Sequence, residues 1–417
     1  MSQYSEIRVN TITDSTGSVA VDFENGLTIG GKALDDSGGA IQLNKIIDSA
    51  DAPSDSASYY GLMWYDSANT RLNIYTPIGW RTIRGDQAPS GGGGSSNATH
   101  AFALGGTYYN GNYYVTAANH IETLTIATTG NATDFGDITA SGSIALGISE
   151  IAAGGDHSRI VLGSALVDNG YGNAGDLANG TGIHYITCAT PGNTVDFGDL
   201  PSDYFNENGG DAGAGYMHFR SNGSGSSTSI VTVTIQTTGN ASDLIDLSGA
   251  EGYSFGGVSS NDTRALAFGG RYGNAFGVAV DYFTPGNSSV AAADFGDLLL
   301  GSNKPAVTND NVNRTIYHES YNGSGFSWGS LSNTLAYLDT ATLGNAVDFG
   351  DLSSARQGGG ASANNTRALF FGGESNSSSD SYAHNTVDYV TVATPGNATD
   401  FGDVSRRRQT CGSEGIG

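Results

Sequence analysis

The string TPGNATDFGD at 394–403 recurs along the chain as TTGNATDFGD (128–137), TPGNTVDFGD (190–199), TTGNASDLID (237–246), TPGNSSVAAADFGD (284–297) and TLGNAVDFGD (342–351). Six copies are therefore present, and the third and fourth deviate. Their first aspartates, Asp134, Asp196, Asp243, Asp294, Asp348 and Asp400, lie 62, 47, 51, 54 and 52 residues apart. Self-similarity at such a period marks one supersecondary unit repeated, each copy unable to bury its apolar faces without neighbours.

Working outward from the last copies, one unit reads as four short strands: GGASANN (359–365), TRALFFGG (366–373), TVDYVTVAT (386–394) and the segment through NATDFGD. Gly, Asn, Asp and Pro bound each of them, as turn residues should. In TVDYVTVAT, Val387 and Tyr389 face one way and Val390 and Val392 the other, so both faces are apolar. Strands of that kind suit sheets stacked face to face. The pairs Gly105-Gly106, Gly269-Gly270 and Gly372-Gly373 recur in register at the end of the second strand, where a missing Cβ permits tight turning. Four strands at this period fit the kelch class of propeller blades.

The chain ends test closure. DFGDLSSARQGGGASANN (348–365) aligns without a gap on DFGDVSRRRQTCGSEGIG (400–417), after which the chain stops. The last nine residues then form the first strand of a blade whose other strands lie at the start, since ATHAFALGG (98–106) matches NTRALFFGG (365–373). Pairing 409–417 with 98–106 would complete an all-β, six-bladed kelch-like β-propeller closed by a C-terminal strand, with no open edge left by a linear array.

The (T/A)TxGNAxDFGDL and TRALxFGG strings over 98–417 resemble the kelch and galactose-oxidase-like propeller class, and more closely propeller repeats of structural proteins in tailed phages of marine bacteria, the cyanophage fibre proteins among them. Two amino-terminal segments, IRVNTITDSTGSVAVDFENGLTIGG (7–31) and GLMWYDSANTRLNIYTPIGWRTI (61–83), are similar to stretches of phage tail-fibre proteins. The resemblance implies a virion structural protein, a fibre or spike subunit presenting its propeller to a host-surface glycan or protein. It also implies attachment to other virion proteins through residues 1–83, a homotrimer, and a place on the tail or capsid exterior after assembly in the host cytoplasm. Two rivals stand beside this reading: a head or neck decoration fibre without a receptor, and a carbohydrate-active propeller enzyme.

The organisation expected is a virion-anchoring or oligomerisation segment (1–50), a small β-hairpin-rich domain (51–84), a Gly/Ser linker (85–97) and the propeller (98–417). Ile7, Val9, Ile12, Val19, Val21 and Leu27 are too few apolar groups for an independent core, so that segment needs docking or oligomerisation. Leu62, Trp64, Leu72, Ile74, Tyr75, Trp80 and Ile83 flank the turn-rich DSANT, as in a hairpin. RGDQAPSGGGGSSNA (84–98) reads as a flexible joint, and its Arg84-Gly85-Asp86 as a chance tripeptide.

Composition narrows the function. Glycine makes up 63 of 417 residues without a collagen period, and the net charge of −24 comes without any large Lys/Arg block, so nucleic-acid binding is not expected. The run Arg406-Arg407-Arg408 reads as a solvated turn. Cys188 and Cys411 are too few for a disulfide scaffold, and the start has neither a signal-peptide pattern nor a run able to insert in a membrane.

No catalytic, metal or cofactor residues emerge. His100, His120, His157, His184, His218, His318 and His384 are scattered without metal spacing, so none of the copper ligands of galactose oxidase carries over. There is no GxSxG elbow. Arg159, Arg264, Arg314 and Arg367 recur at one blade position, occupied by His100 and Tyr216 elsewhere, which suggests a structural role. The DFGD pairs could supply calcium ligands, but two carboxylates three apart are few. The simpler expectation has the first aspartate accepting backbone bonds in a turn, Phe packing between blades and Gly at positive φ. An enzyme is therefore not expected.

Receptor contact is assigned to the variable loops 106–114, 168–182, 271–277, 320–329 and 374–385, whose Tyr, Trp, Asn and Gly suit adaptable binding. The candidate contact residues are Tyr108, Tyr109, Tyr113, Tyr171, Tyr272, Phe276, Tyr321, Trp328 and Tyr382.

Overall fold

The structure is a computed structural model. In the amino-terminal region it describes residues 28–29, 32–33, 47–49, 63–66, 71–76 and 79–83. From there on it describes 98–109, 115–117, 119–139, 148–149, 151–156, 158–163, 166–167, 181–201, 209–220, 229–247, 256–272, 275–302, 305–310, 312–321, 331–375, 383–408 and 412–416. The chain divides into two compact units, Met1–Asp86 and Gln87–Gly417. In the first, Met63–Asp66 pairs antiparallel with Arg71–Thr76 across the DSANT stretch. Gly79–Ile83 continues that sheet, and Ile47–Ser49 adds to it in parallel.

The second unit is a β-propeller of six four-stranded antiparallel blades. Blade 1 consists of Gly412–Ile416, His100–Leu104, His120–Thr125 and Thr133–Asp137. Blades 2 to 6 begin with the inner strands Ala152–Gly155, Gly210–Gly213, Gly257–Ser260, Val307–Asn309 and Gly360–Ala363 and end with the outer strands Val195–Asp199, Ser242–Asp246, Ala293–Asp297, Val347–Asp351 and Thr399–Arg408. The inner strands contact one another in a closed ring. Closure is by the expected strand: Gly412 pairs with Leu104 and Ile416 with His100.

The alternation of apolar groups explains the stacking. Val387 and Tyr389 pack into the core between blades 6 and 1, whereas Val390 and Val392 pack between blades 5 and 6. Each strand thus serves two interfaces. The DFGD phenylalanines Phe135, Phe197, Phe295, Phe349 and Phe401 are all buried. The segment is not a turn, however. It is an outer strand with a bulge, and its first aspartate is exposed on the edge, where charge discourages pairing with a like-charged strand.

The recurrent Gly-Asn turn clasps this bulge across each regular joint. The Asn131 side-chain carbonyl accepts the Asp403 amide at 3.1 Å, while Gly130 and Ala132 donate to the Phe401 and Asp403 carbonyls, both at 2.8 Å. Asn193, Asn240, Asn345 and Asn397 repeat the side-chain bond on Asp137, Asp199, Asp297 and Asp351. Gly402, at φ 148°, lies so close that a Cβ would collide with the Gly130 carbonyl. Gly136, Gly198, Gly296 and Gly350 meet Gly192, Gly239, Gly344 and Gly396 in the same way. Both deviant copies belong to one joint, that between blades 3 and 4.

The recurrent arginines are structural. Arg159, Arg264, Arg314 and Arg367 each lie over a tyrosine of their own blade, at 4.6–4.8 Å from the ring centre. Each then donates to a carbonyl of the next blade: Gln236, Thr340, Val392 and Ala127 respectively. At the position occupied by Tyr216, the ring packs against Gly286 of the next blade instead. Burial corrects the reading of the Arg406–Arg408 run as a solvated turn. It ends the outer strand of blade 6; Arg406 and Arg407 are exposed, but Arg408 is fully buried and ion-paired with Glu122 of blade 1.

Candidate functional site

Antiparallel blades sort their connections onto two faces. Turns from inner to second strand (156–158, 214–215, 261–264, 310–313, 364–366) and from third to outer strand (126–132, 188–194, 235–241, 284–292, 340–346, 392–398) share one face. The other face receives the connections from second to third strand: 105–119, 164–181, 221–228, 269–278, 319–333 and 372–383. All five candidate contact loops belong to this second set. Residues 98–99 enter the propeller at the turn face, where Asn364 binds the Ala98 carbonyl at 2.8 Å and Ile126 donates to the Thr99 carbonyl at 2.9 Å.

Side chains pin the turns on the first face. The Asp156 carboxylate accepts the Ser158 and Arg159 amides at 2.8 and 2.9 Å, and Asn261, Asp310 and Asn364 make the same local ring before their arginines. Most turns of that face are short and alike, with 284–292 the exception. The loop face instead carries small ribbons, Thr107–Tyr109 with Val115–Ala117 and Arg271–Tyr272 with Ala275–Phe276.

The candidate contact residues divide accordingly. Tyr108, Tyr109 and Tyr272 lie in the ribbon strands. Tyr113, Tyr171, Trp328 and Tyr382 lie outside the described residues. Two assignments are corrected: Phe276 is 7% exposed and Tyr321 0%, with their rings 4.9 Å apart across the joint between blades 4 and 5. Aromatic area of that size is spent on packing rather than offered to a partner. The Tyr321 hydroxyl donates to the Gln357 side chain, which donates to Glu374 at 2.9 Å. Isolated bridges Tyr321–Leu331 and Glu374–Ala383 close the bases of loops 322–330 and 375–382. These residues form the platform under the loops, a role that loop composition alone did not signal.

Beneath this face, Glu319 is wholly buried. One of its oxygens accepts the Tyr317 hydroxyl at 3.0 Å and the Leu300 amide at 2.8 Å, and the other has no hydrogen-bond partner among the described residues. Burial pushes its pKa up to about 7. Burial does the same to Asp211 on the inner strand of blade 3, although the Ser260 and Ala212 amides and the Asn309 side chain offset part of it. A pKa raised in the fold gives stability that is complete below the unfolded value of about 4 and is lost as pH rises through about 7. Glu319→Gln is therefore expected to match the parent in urea unfolding at pH 4.5 and to exceed it by about 1–2 kcal/mol at pH 8, allowing for partial solvent relaxation. An equal effect at both pH values would contradict the assignment.

The imidazoles beneath the loops are packing elements. Burial lowers His218 to about 4 and His318 to about 3, so both are neutral near pH 7. His218 meets the Phe283 ring edge-on, and His318 Nε2 bonds the Ser332 carbonyl at 3.0 Å. Cys188 lies just beyond the strand Gly182–Thr187, half-buried against the core between blades 1 and 2. Among the described residues, no three His, Cys, Asp or Glu side chains are placed to share a metal ion. No helix of the described residues is long and apolar enough to cross a membrane. No protein-family model matches the chain, and no curated protein matches it in sequence.

Proposed function

We propose that the chain is a structural subunit of a virion, a fibre or spike of a tailed phage, whose propeller offers its loop face to the host surface, with surface glycans as candidate targets. The observation that carries this reading is the difference between the two faces. One bears mostly short, similar turns and receives the incoming chain at 98–99; the other bears every long second-to-third-strand connection, raised on a buried platform. Variable loops gathered on one face of a rigid ring suit display to a partner. Scaffold rigidity under variable loops is the usual division of labour in recognition.

The test uses the full chain, fluorescently labelled, on candidate host cells, together with antibody labelling of purified particles by electron microscopy. Labelled tail or capsid exteriors are expected, with cell binding abolished when 322–330 is replaced by a short Gly/Ser turn and retained in Leu343→Asp on the turn face. Binding lost only in the turn-face variant, or particles that never carry the chain, would overturn the proposal.

A further inference from the structure

The joint between blades 3 and 4 lacks the rim clasp seen at the other five. Ile245 stands where the regular outer strands have glycine, and a β-carbon there would strike a close Gly-Asn turn. The facing turn, 284–292, is longer than its counterparts 126–132, 340–346 and 392–398. Val290 and Ala291 stand at the positions of the clasping glycine and asparagine, and Val290 is 52% exposed. Asn287 serves its own turn, accepting the Ser289 amide at 2.9 Å. Among the described residues, nothing in blade 4 bonds the Asp246 amide and carbonyl, whose equivalents are satisfied across the other five joints, or the Leu244 carbonyl, whose equivalent is bonded at four of them.

The interior of the same joint is firmly tied. Asp211 accepts the Ser260 amide at 2.8 Å, Gly209 donates to the Gly256 carbonyl at 2.8 Å, and Ala214 donates to the Asp262 side chain at 3.1 Å. The joint is thus not loose throughout; one outer strand edge is bare. Bare edges are templates for strand pairing, and natural folds cover them or use them.

We propose that the outer strand Ser242–Asp246 is a strand-addition site for an extended, basic segment of a partner protein. Asp243 and Asp246 are exposed on this strand, so lysines or arginines alternating along the incoming strand would meet them. A second copy of this chain is a poor occupant, because it would bring two further aspartates to an edge that already carries Asp243 and Asp246. The inference stands independently of host recognition by the loop face, since it concerns the rim.

The probe is a capped peptide of about seven alternating Lys and Val residues, long enough to span a typical strand, titrated against the full chain by fluorescence anisotropy, with amide exchange read at 242–246. Binding is expected to protect the Asp246 amide. It should weaken at least about tenfold in Asp243→Lys/Asp246→Lys and on N-methylation of the peptide backbone, as a charged, main-chain contact requires. The control Asp196→Lys/Asp199→Lys, on the clasped outer strand of blade 2, should bind like the parent. Equal loss in both variants, equal binding by the N-methylated peptide, or no binding at all would overturn the proposal. Thermal midpoints of both variants, on exposed edge residues, verify that folding is intact.

Discussion

Removal of residues 409–417 is expected to lower the thermal midpoint of the propeller by about 10–20 °C. The lost strand, Gly412–Ile416, pairs along its whole length with His100–Leu104 and touches the inner strands of blades 2 and 6. Its removal bares an edge at the axis and forfeits about five hydrogen bonds at about 1 kcal/mol each. At about 2–4 °C per kcal/mol for a large domain, those bonds alone account for the fall. A synthetic 409–417 peptide should restore the midpoint in a concentration-dependent way, because it binds only the folded ring. Differential scanning fluorimetry measures both effects, and an unchanged midpoint in the truncated chain would remove the latch from the account.

The blade number and closure were legible because they rest on backbone repetition: six Gly-Asn turns and a carboxyl-terminal strand that matches the first strand of a blade. The meaning of the repeat was less legible. Asp134 and its equivalents looked like turn acceptors, yet it is the amide of the second aspartate that is bound, by an asparagine of the next blade. A partner in the neighbouring unit leaves no local signature. The same applies to Tyr321 and Phe276, which look like loop aromatics until the adjacent blade buries them.

One feature of the joints could have been found by alignment. Arg356 and Arg408 both stand five residues after DFGD, and the following blades supply Asp388 and Glu122 at equal places in their third strands. The next joint back has Ser302 and Ala336 at those positions. The pairing of charges at these two joints is invisible within any single repeat, and it is not general, since Glu251 and Asp281 stand at the same two positions between blades 3 and 4.

Asp388→Ala is expected to cost about 3–5 kcal/mol, since it strands a buried guanidinium. Asp388 lies on the third strand of blade 6 and is 0% exposed; it holds the 2%-exposed Arg356 at 2.9 Å and also accepts the Ser353 hydroxyl and amide, at 2.7 and 3.2 Å. Three donors from the connection leaving blade 5 thus depend on one carboxylate of blade 6. Replacing both partners, Arg356→Met with Asp388→Leu, removes the charge and its demand together and should recover most of the loss, because the attraction of a buried pair largely repays its desolvation and adds little beyond that. Guanidinium unfolding midpoints of the single and double variants decide the matter. A double variant as unstable as Asp388→Ala would mean that the hydrogen bonds to Ser353 and the shape of the pair, rather than the stranded charge, hold blades 5 and 6 together.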